Sequence, residues 1–444
     1  MNDWYEMTIG SVATLRKGIS YKSEDYCNEG SGYPFITIKC FVKGGGYEPS
    51  GLKYFDGYFT GADQIFEGDI LFSITDLTRA GDIVGSPLRV PSFGEGRIVL
   101  ASMDCIKITP IDGLCDKDFL YHRMMLSDIR RQMVAYSAGS TVLHLDTKKV
   151  PKITIHIPKK VSDQKAIADL LDITDRTIAH TEALIGKYQQ IKAGLVHDLF
   201  TRGIGADSRL RPPREQAPEL YQESAIGWIP KEWGASRLKD ILKDSGGYIQ
   251  TGPFGSQLHA HEYTFEGVPF VMPQNINNGK IDEADIARIV ETRAQSLYRH
   301  RLKIGDIIIA RRGELSRAAA ITELEQGWVC GSGCFLLRLG GSNLDARFFS
   351  LMYRHALVQR QVAGLAVGST MPSLNNEIMG KLVFPCMSKT EQTAITDRVE
   401  LAEAKITTLE LELAKLRKQK SGLMQDLLTG KVPVNVDLEE VAHV

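Results

Sequence analysis

The apolar positions along this chain follow two regimes. Through most of it, short β-branched and aromatic runs are cut by glycine-rich turns. In two stretches, from about Asp163 to Thr201 and from about Glu391 to Thr429, apolar residues instead recur in alternating steps of four and three. The second stretch reads Ile395, Val399, Ala402, Ile406, Leu409, Leu413, Leu416, Lys420, Leu423, Leu427, and the first Ile167, Leu171, Thr174, Ile178, Thr181, Ile185, Tyr188, Lys192, Leu195, Leu199. Such an a/d heptad seam predicts two long helices, each packing on another helix. At 1.5 Å per residue each is roughly 55–60 Å long. Set Gln164 against Gln392 and the stretches align without gaps, ending in matched Lys192/Lys420, Gly194/Gly422, Leu195/Leu423, Asp198/Asp426, Leu199/Leu427 and Thr201/Thr429. A repeat of this period organises a whole fold.

The seam also predicts how the helices pair. Ile178, Ile185, Tyr188, Leu195 and Leu199 are expected to pack against Ile395, Val399, Ile406, Leu409 and Leu416. Parallel, aligned pairing would set Lys192 against Lys420, two like charges in an apolar seam. Antiparallel pairing puts Lys192 beside Ala402 and Lys420 beside Thr174, where each stem can reach water. The expectation is antiparallel.

The regions before the helices read as mixed α/β globules. In residues 1–158, strands are expected at Pro34–Lys39, Asp69–Ile74, Ser102–Ile108 and Val150–Ile157. A helix is expected from Asp118 to Ala135, with Phe119, His122, Met125, Leu126 and Ile129 on one face, and Ser162 and Asp163 are candidate caps of the long helix. The first long helix occupies 159–203, a proline-rich linker 204–227, a second globule 228–386, the second helix 387–430 and a tail 431–444. Arg211, Pro212, Pro213, Arg214 and Pro218 mark the linker as stiff and polar. The globules echo one another. Gly68-Asp69-Ile70 returns as Gly305-Asp306-Ile307, Ala138–Thr141 returns within Ala366–Thr370, and the helix after Asp118 returns as Phe348–Val362. The fold class is therefore mixed α/β: two similar globules separated by a two-helix antiparallel coiled coil, with an internal pseudo-two-fold repeat.

Composition narrows the function. A chain of 444 residues exceeds a single core. Seven scattered cysteines give no disulfide framework, and Cys330 and Cys334 lack the second pair a structural zinc needs. The N-terminal MNDWYEM carries no basic-then-apolar leader, and no apolar run approaches membrane-spanning length, so a cytoplasmic setting is expected. At a net charge of −1, any nucleic-acid surface has to be local. No phosphate-binding glycine loop, zinc-protease or serine-hydrolase motif occurs. His259 and His261, two apart, would point to opposite sides of a strand, and a solvated loop suits them better. The chain reads as a reader or scaffold rather than a catalyst.

Local charge is strongest from Tyr298 to Arg317, where Arg299, Arg301, Lys303, Arg311, Arg312 and Arg317 face only Asp306 and Glu314. Arg311 and Arg312 follow an apolar strand, Ile307–Ala310, whose end would present them rigidly. A guanidinium fork suits guanine O6 and N7 or a phosphate, and amides suit adenine edges. Candidate DNA-binding residues are therefore Arg311, Arg312 and Arg317, the amides Gln274, Asn275 and Asn277, and Ser256 and Gln257 on the turn of TGPFGSQL. In the first globule Ser20, Tyr21, Lys22, Thr75, Thr78 and Arg79 hold similar strand-end or turn positions.

Together these pieces resemble the specificity subunit of a type I restriction–modification system over nearly the whole chain. The most specific are the helix ends KAGLVHDLFT (192–201) and KSGLMQDLLT (420–429), joined by IGWIPKEW (226–233) and Pro253-Phe254-Gly255-Ser256. One departure is that the first globule starts at Trp4 without the Gly-Trp-Ile-Pro lead. The resemblance implies a non-catalytic DNA reader. Each globule would be a target-recognition domain for one half of a bipartite sequence, and the paired helices would set the spacing. Two methyltransferase subunits that bind S-adenosylmethionine would dock on the helices. Motor-nuclease subunits using ATP and Mg2+ would complete an adenine methyltransferase and endonuclease. The alternatives are a stand-alone DNA-binding protein and a coiled-coil assembly scaffold.

Overall fold

A computed structural model describes residues 3–253, 257–365 and 373–433. It divides into two compact units: unit 1 holds residues 1–184 and 409–444, and unit 2 holds residues 185–408. Helix α1 (Val161–Thr201) and helix α2 (Lys389–Leu427) each contribute to both.

Within each unit the helices run antiparallel. In unit 1, Asp175 pairs with Lys420 and Glu182 Oε1 with Arg417 at 2.7 Å. In unit 2, Lys192 Nζ lies 2.6 Å from Glu403 Oε1, and Lys405 sits 6.0 Å over the Tyr188 ring. One partner number rises as the other falls. No seam position named above is exposed. The seam lysines are not neighbours; each meets a carboxylate one residue beyond the small residue expected beside it. Glu403 and Asp175 occupy the same position of the repeat, so the seam carries two equivalent ion pairs.

The globules repeat one frame. In unit 1, β1 (Trp4–Thr8), β2 (Ala13–Lys17), β3 (Ile70–Ser73), β4 (Pro87–Arg89), β5 (Cys105–Pro110) and β6 (Thr154–Pro158) form two antiparallel sheets, β2-β5-β3-β4 and β1-β6. In unit 2, β7 (Gly234–Arg237), β8 (Tyr248–Thr251), β9 (Asp306–Ala310), β10 (Ala318–Ala320), β11 (Cys334–Arg338) and β12 (Val383–Cys386) form β8-β11-β9-β10 and β7-β12. Each core joins its sheet to its helical segments: Ile70, Phe72, Ile106 and Ile108 with Ile167, Leu171 and Leu427, and Ile307, Ile309, Phe335 and Leu337 with Leu199, Ile395 and Val399. The repeated Gly-Asp-Ile is a turn. Its aspartate accepts the Phe66 or Lys303 N–H at 2.8 Å and pairs with Lys107 or Arg338 on the neighbouring strand.

Two further devices repeat, and both fix helices to globules. Gln164 is fully buried; it accepts the Asp116 N–H at 2.7 Å and donates to Leu114 O and Pro158 O. Gln392 does the same with Asp345 N–H, Asn343 O and Met387 O. At the far helix ends, Gly203 and Gly430 take left-handed φ of 65° and 71°. A Cβ on Gly430 would fall 2.7 Å from the Trp4 ring, and one on Gly203 would collide with Trp233 and Glu391. Trp4 and Trp233 are thus equivalent, and in unit 2 a hairpin, Tyr221–Ser224 on Gly227–Pro230, precedes the tryptophan.

Several local expectations are corrected. The helix expected over Asp118–Ala135 breaks at Leu126 into Lys117–Met125 and Ser127–Ala135. The break lets Asp128 grip the buried Arg123 through two bonds, 2.9 and 2.7 Å. Phe348–Val362 likewise breaks at His355, whose Nδ1 accepts the Leu357 N–H at 3.4 Å. Ser162 and Asp163 lie inside α1 rather than capping it. Expected strands are shorter; Pro34–Lys39 becomes Tyr33–Ile36 and a 3-10 turn, and Val150–Ile157 becomes a 3-10 turn and β6. The proline-rich stretch, expected to be a stiff and polar linker, is partly buried. Its Arg211, Ala217 and Tyr221 are buried, because Arg211 pairs with Glu391 at 2.6 Å and with Glu232. Glu391 also accepts the Ile204 N–H and the Trp233 indole N–H. His259 and His261 lie exposed in a turn, as expected of a solvated loop, with their rings stacked at 5.5 Å. Ala366–Thr370 lies outside the described residues.

Candidate nucleic-acid interface

The strand order brings most of the sequence-derived candidates to one end of each four-stranded sheet. In unit 1 the C-terminal ends of β2 and β3 and the N-terminal end of β5 meet there, with Ser73 opposite Cys105 and Lys17 opposite Ile106. Tyr21 follows β2, Thr75 and Asp76 follow β3, and Asp104 precedes β5. Thr75 pairs with His144 on a short strand, Leu143–Leu145.

These side chains form one network. The Tyr21 hydroxyl donates to Asp104 Oδ2 at 3.3 Å, and the Thr75 hydroxyl donates to Asp104 Oδ1 at 2.9 Å while lying 3.4 Å from His144 Nδ1. The Tyr21 ring is held edge-on by Phe35 at 5.4 Å, and burial, with Tyr26 and Asp104 adding, pushes its phenol up. Next to it, Asp76 organises the following loop by accepting from Thr78 N–H, Thr78 hydroxyl, Ile83 N–H and Val84 N–H. Burial opposes the Asp76 charge, but these donors outweigh it and hold its carboxyl below the usual range. Thr78 and Arg79 stand exposed on that loop, and Ser20 and Lys22 are exposed beside Tyr21. Thr75 itself is buried, so its hydroxyl positions Asp104 rather than facing solvent.

Unit 2 builds the same end with other chemistry. Arg311 N–H donates to Gly333 O at 2.7 Å, as Ile74 N–H donates to Asp104 O at 2.9 Å. Arg312 bridges to Ser373 as Thr75 does to His144. Arg311 Nε donates to Leu374 O at 3.0 Å, with its guanidinium over the Phe335 ring at 5.9 Å, while Arg312 is exposed. Arg317 is spent on structure. It pairs with Glu314 and bonds Pro273 O, Gln274 O, Ile276 O and Asn277 Oδ1 at 3.1–3.3 Å. Asn275 is buried, accepting the Met272 N–H, whereas Gln274 and Asn277 are exposed. The Gln257 carbonyl accepts from Arg293, and Ser256 lies outside the described residues. Sequence reasoning missed Asp104, Asp76 and His144. Only their places beside strand ends could have flagged them.

Two other features lie away from this edge. A cavity of about 630 Å³ in unit 2 is lined by Lys303, Asp306, Arg338, Asp345, Arg347 and Lys389, at the opposite end of the sheet from Arg312. His122, Asp172 and Asp175 bring ligand-type atoms within 4.8 Å. However, Arg89 reaches Asp172 at 3.1 Å and Lys420 holds Asp175, the pattern of a charge network rather than a metal centre. No helix among the described residues is long and apolar enough to cross a membrane.

A repeated sheet frame, a heptad rod and unlike polar edges define a paired-module recognition protein. The family model described as the type I restriction modification DNA specificity domain matches residues 1–192 and 230–418, and the chain belongs to that family, whose role is DNA target recognition. It is 23% identical to the type I restriction enzyme MjaVIII specificity subunit of Methanocaldococcus jannaschii, over 97% of this chain and 93% of that one. It is 20% identical to the EcoBI specificity subunit of Escherichia coli, over 72% and 63%. The fold matches the S subunit of a type I restriction-modification system from M. genitalium with a TM-score of 0.59 at 17% identity, covering 96% of each chain. It also matches a chain from a study of complex assembly and conformational transition of the type I system, with a TM-score of 0.53 at 14% identity over 97% and 99%.

Proposed function

We propose that each globule reads one half of a bipartite DNA sequence, through the sheet end carrying Tyr21, Thr78 and Arg79 in unit 1 and Arg311 and Arg312 in unit 2. One observation carries this reading: equivalent positions of a repeated frame hold unlike polar groups, as two readers of unlike half-sites require. The domains are 1–158 and 228–386, with helices 159–203 and 387–430 setting the separation and docking two methyltransferase subunits. Those partners hold S-adenosylmethionine, and motor-nuclease subunits with ATP and Mg2+ complete a cytoplasmic adenine methyltransferase and endonuclease. Near-neutral charge suits a subunit that shares phosphate neutralisation with partners. The test is methylation-sensitive sequencing of the host genome with and without this gene. A two-part modified motif is expected to vanish with the gene; an unchanged methylation pattern overturns the reading.

A further inference from the structure

Asp104 is the one carboxylate in the unit 1 network, and its surroundings are unusual for a charge. It is half-buried, and no cation pairs with it among the described residues. Two hydroxyls, Tyr21 and Thr75, donate to its oxygens, one to each. An ionised carboxylate offers about four acceptor sites, so this scaffold fixes its direction and leaves acceptor capacity open. Tyr21 is in turn locked by Phe35 and Tyr26, at 5.4 and 5.3 Å, and Thr75 is buried. The carboxylate is held still by residues that spend little of it.

Such a group is a poor neighbour for phosphate and a good one for an amino group. Carboxylates accept from cytosine N4 in the major groove, the one cytosine edge group there that donates. The exposed Lys22, next to Tyr21 in the chain, and Arg79, on the loop after Asp76, suit the DNA backbone. In unit 2 the equivalent position is Gly333, and the place of Thr75 is taken by Arg312. We infer that Asp104 is a specificity-determining residue that accepts a hydrogen bond from a cytosine N4 amino group in the half-site of unit 1, with Tyr21 and Thr75 as its positioning residues. Among the described residues, the counterpart edge in unit 2 places the exposed Arg312 guanidinium where Thr75 stands, a donor that suits an acceptor base such as guanine.

This rests on the DNA-reading function proposed above, and the test separates the two. Once the motif is known, the assembled wild-type complex and an Asp104→Ala complex are titrated with duplexes in which one exocyclic amino group at a time is deleted. Wild type is expected to lose at least about tenfold affinity when one cytosine amino group is removed. The variant is expected to bind the intact duplex about as weakly and to ignore that deletion, while keeping its response to changes in the other half-site. That retained response reports a folded complex. Should Asp104→Ala fail to assemble, Asp104→Asn keeps an acceptor for one hydroxyl and adds a donor, and is expected to shift preference at that position from cytosine toward adenine. If wild type discriminates among duplexes but either variant keeps the full cytosine sensitivity, this assignment alone falls. If wild type shows no sequence preference, the DNA-reading function falls with it.

Discussion

Arg312 and Arg317 stand five residues apart in one basic run, yet their surroundings assign them opposite tasks. Arg312 is exposed at the sheet end, so Arg312→Ala is expected to weaken specific binding by about 1–3 kcal/mol and relax selectivity in one half-site only. Equal weakening on every sequence would mark a phosphate contact instead. Arg317 holds four acceptors of the 273–277 loop. Arg317→Ala is therefore expected to cost about 1–3 kcal/mol of stability and to speed amide exchange in that loop. Both arginines were visible in the sequence as charge; which one was already spent depended on carbonyls 40 to 44 residues away. His355 gives a pH signature at the same scale. Its ring lies tilted against Phe200 at 4.9 Å, and burial, with His197 and Arg360 adding, lowers its pKa from 6.5 to about 4. Below 6.5 the unfolded chain takes up a proton that the folded one refuses. The stability is thus full above 6.5 and drains as pH falls toward about 4. The melting temperature should fall over that window, and His355→Phe should flatten the slope.

At the scale of the element, the rod was the most legible part of the chain. Heptad spacing is local and survives without knowledge of the fold, and the two seam lysines excluded parallel alignment. What the pattern withheld was their partners, because Glu403 and Asp175 lie outside the apolar series. Lys192→Glu is expected to destabilise the protein by about 1 kcal/mol through like charges at a half-buried seam. The double exchange Lys192→Glu with Glu403→Lys should restore the melting temperature; a double variant no better than the single would show that the pair does not couple. Gln164 and Gln392 marked the start of the alignment, but that each clamps the N-terminus of a globule helix required three backbone partners brought from elsewhere. The helix breaks at Leu126 and His355 were hidden for the same reason, since apolar periodicity runs straight through both.

For the whole molecule, duplication was readable and the polar sheet ends were not. Repeated signals such as Gly-Asp-Ile are turns of the frame, whereas Thr75 and Arg312, or Asp104 and Gly333, are seen to hold equivalent places only once three separate strands are aligned. The same duplication makes the proposed spacing role testable by symmetric deletion. His180–Gly186 and Thr408–Ala414 are equivalent heptads of the repeat, since matching Gln164 with Gln392 sets His180 against Thr408. Removing both heptads keeps the a/d seam and every contact of either sheet end. It shortens the rod by about 10 Å at 1.5 Å per residue, the length of about three base pairs at 3.4 Å each. The methylated motif is then expected to keep both half-sites while its spacer shortens by up to that amount. Were the half-site sequences to change along with the spacer, base reading and spacing would not be separate duties of globule and rod. Were the spacer to stay fixed, the separation would be set by the partners that grip the helices rather than by the helices themselves.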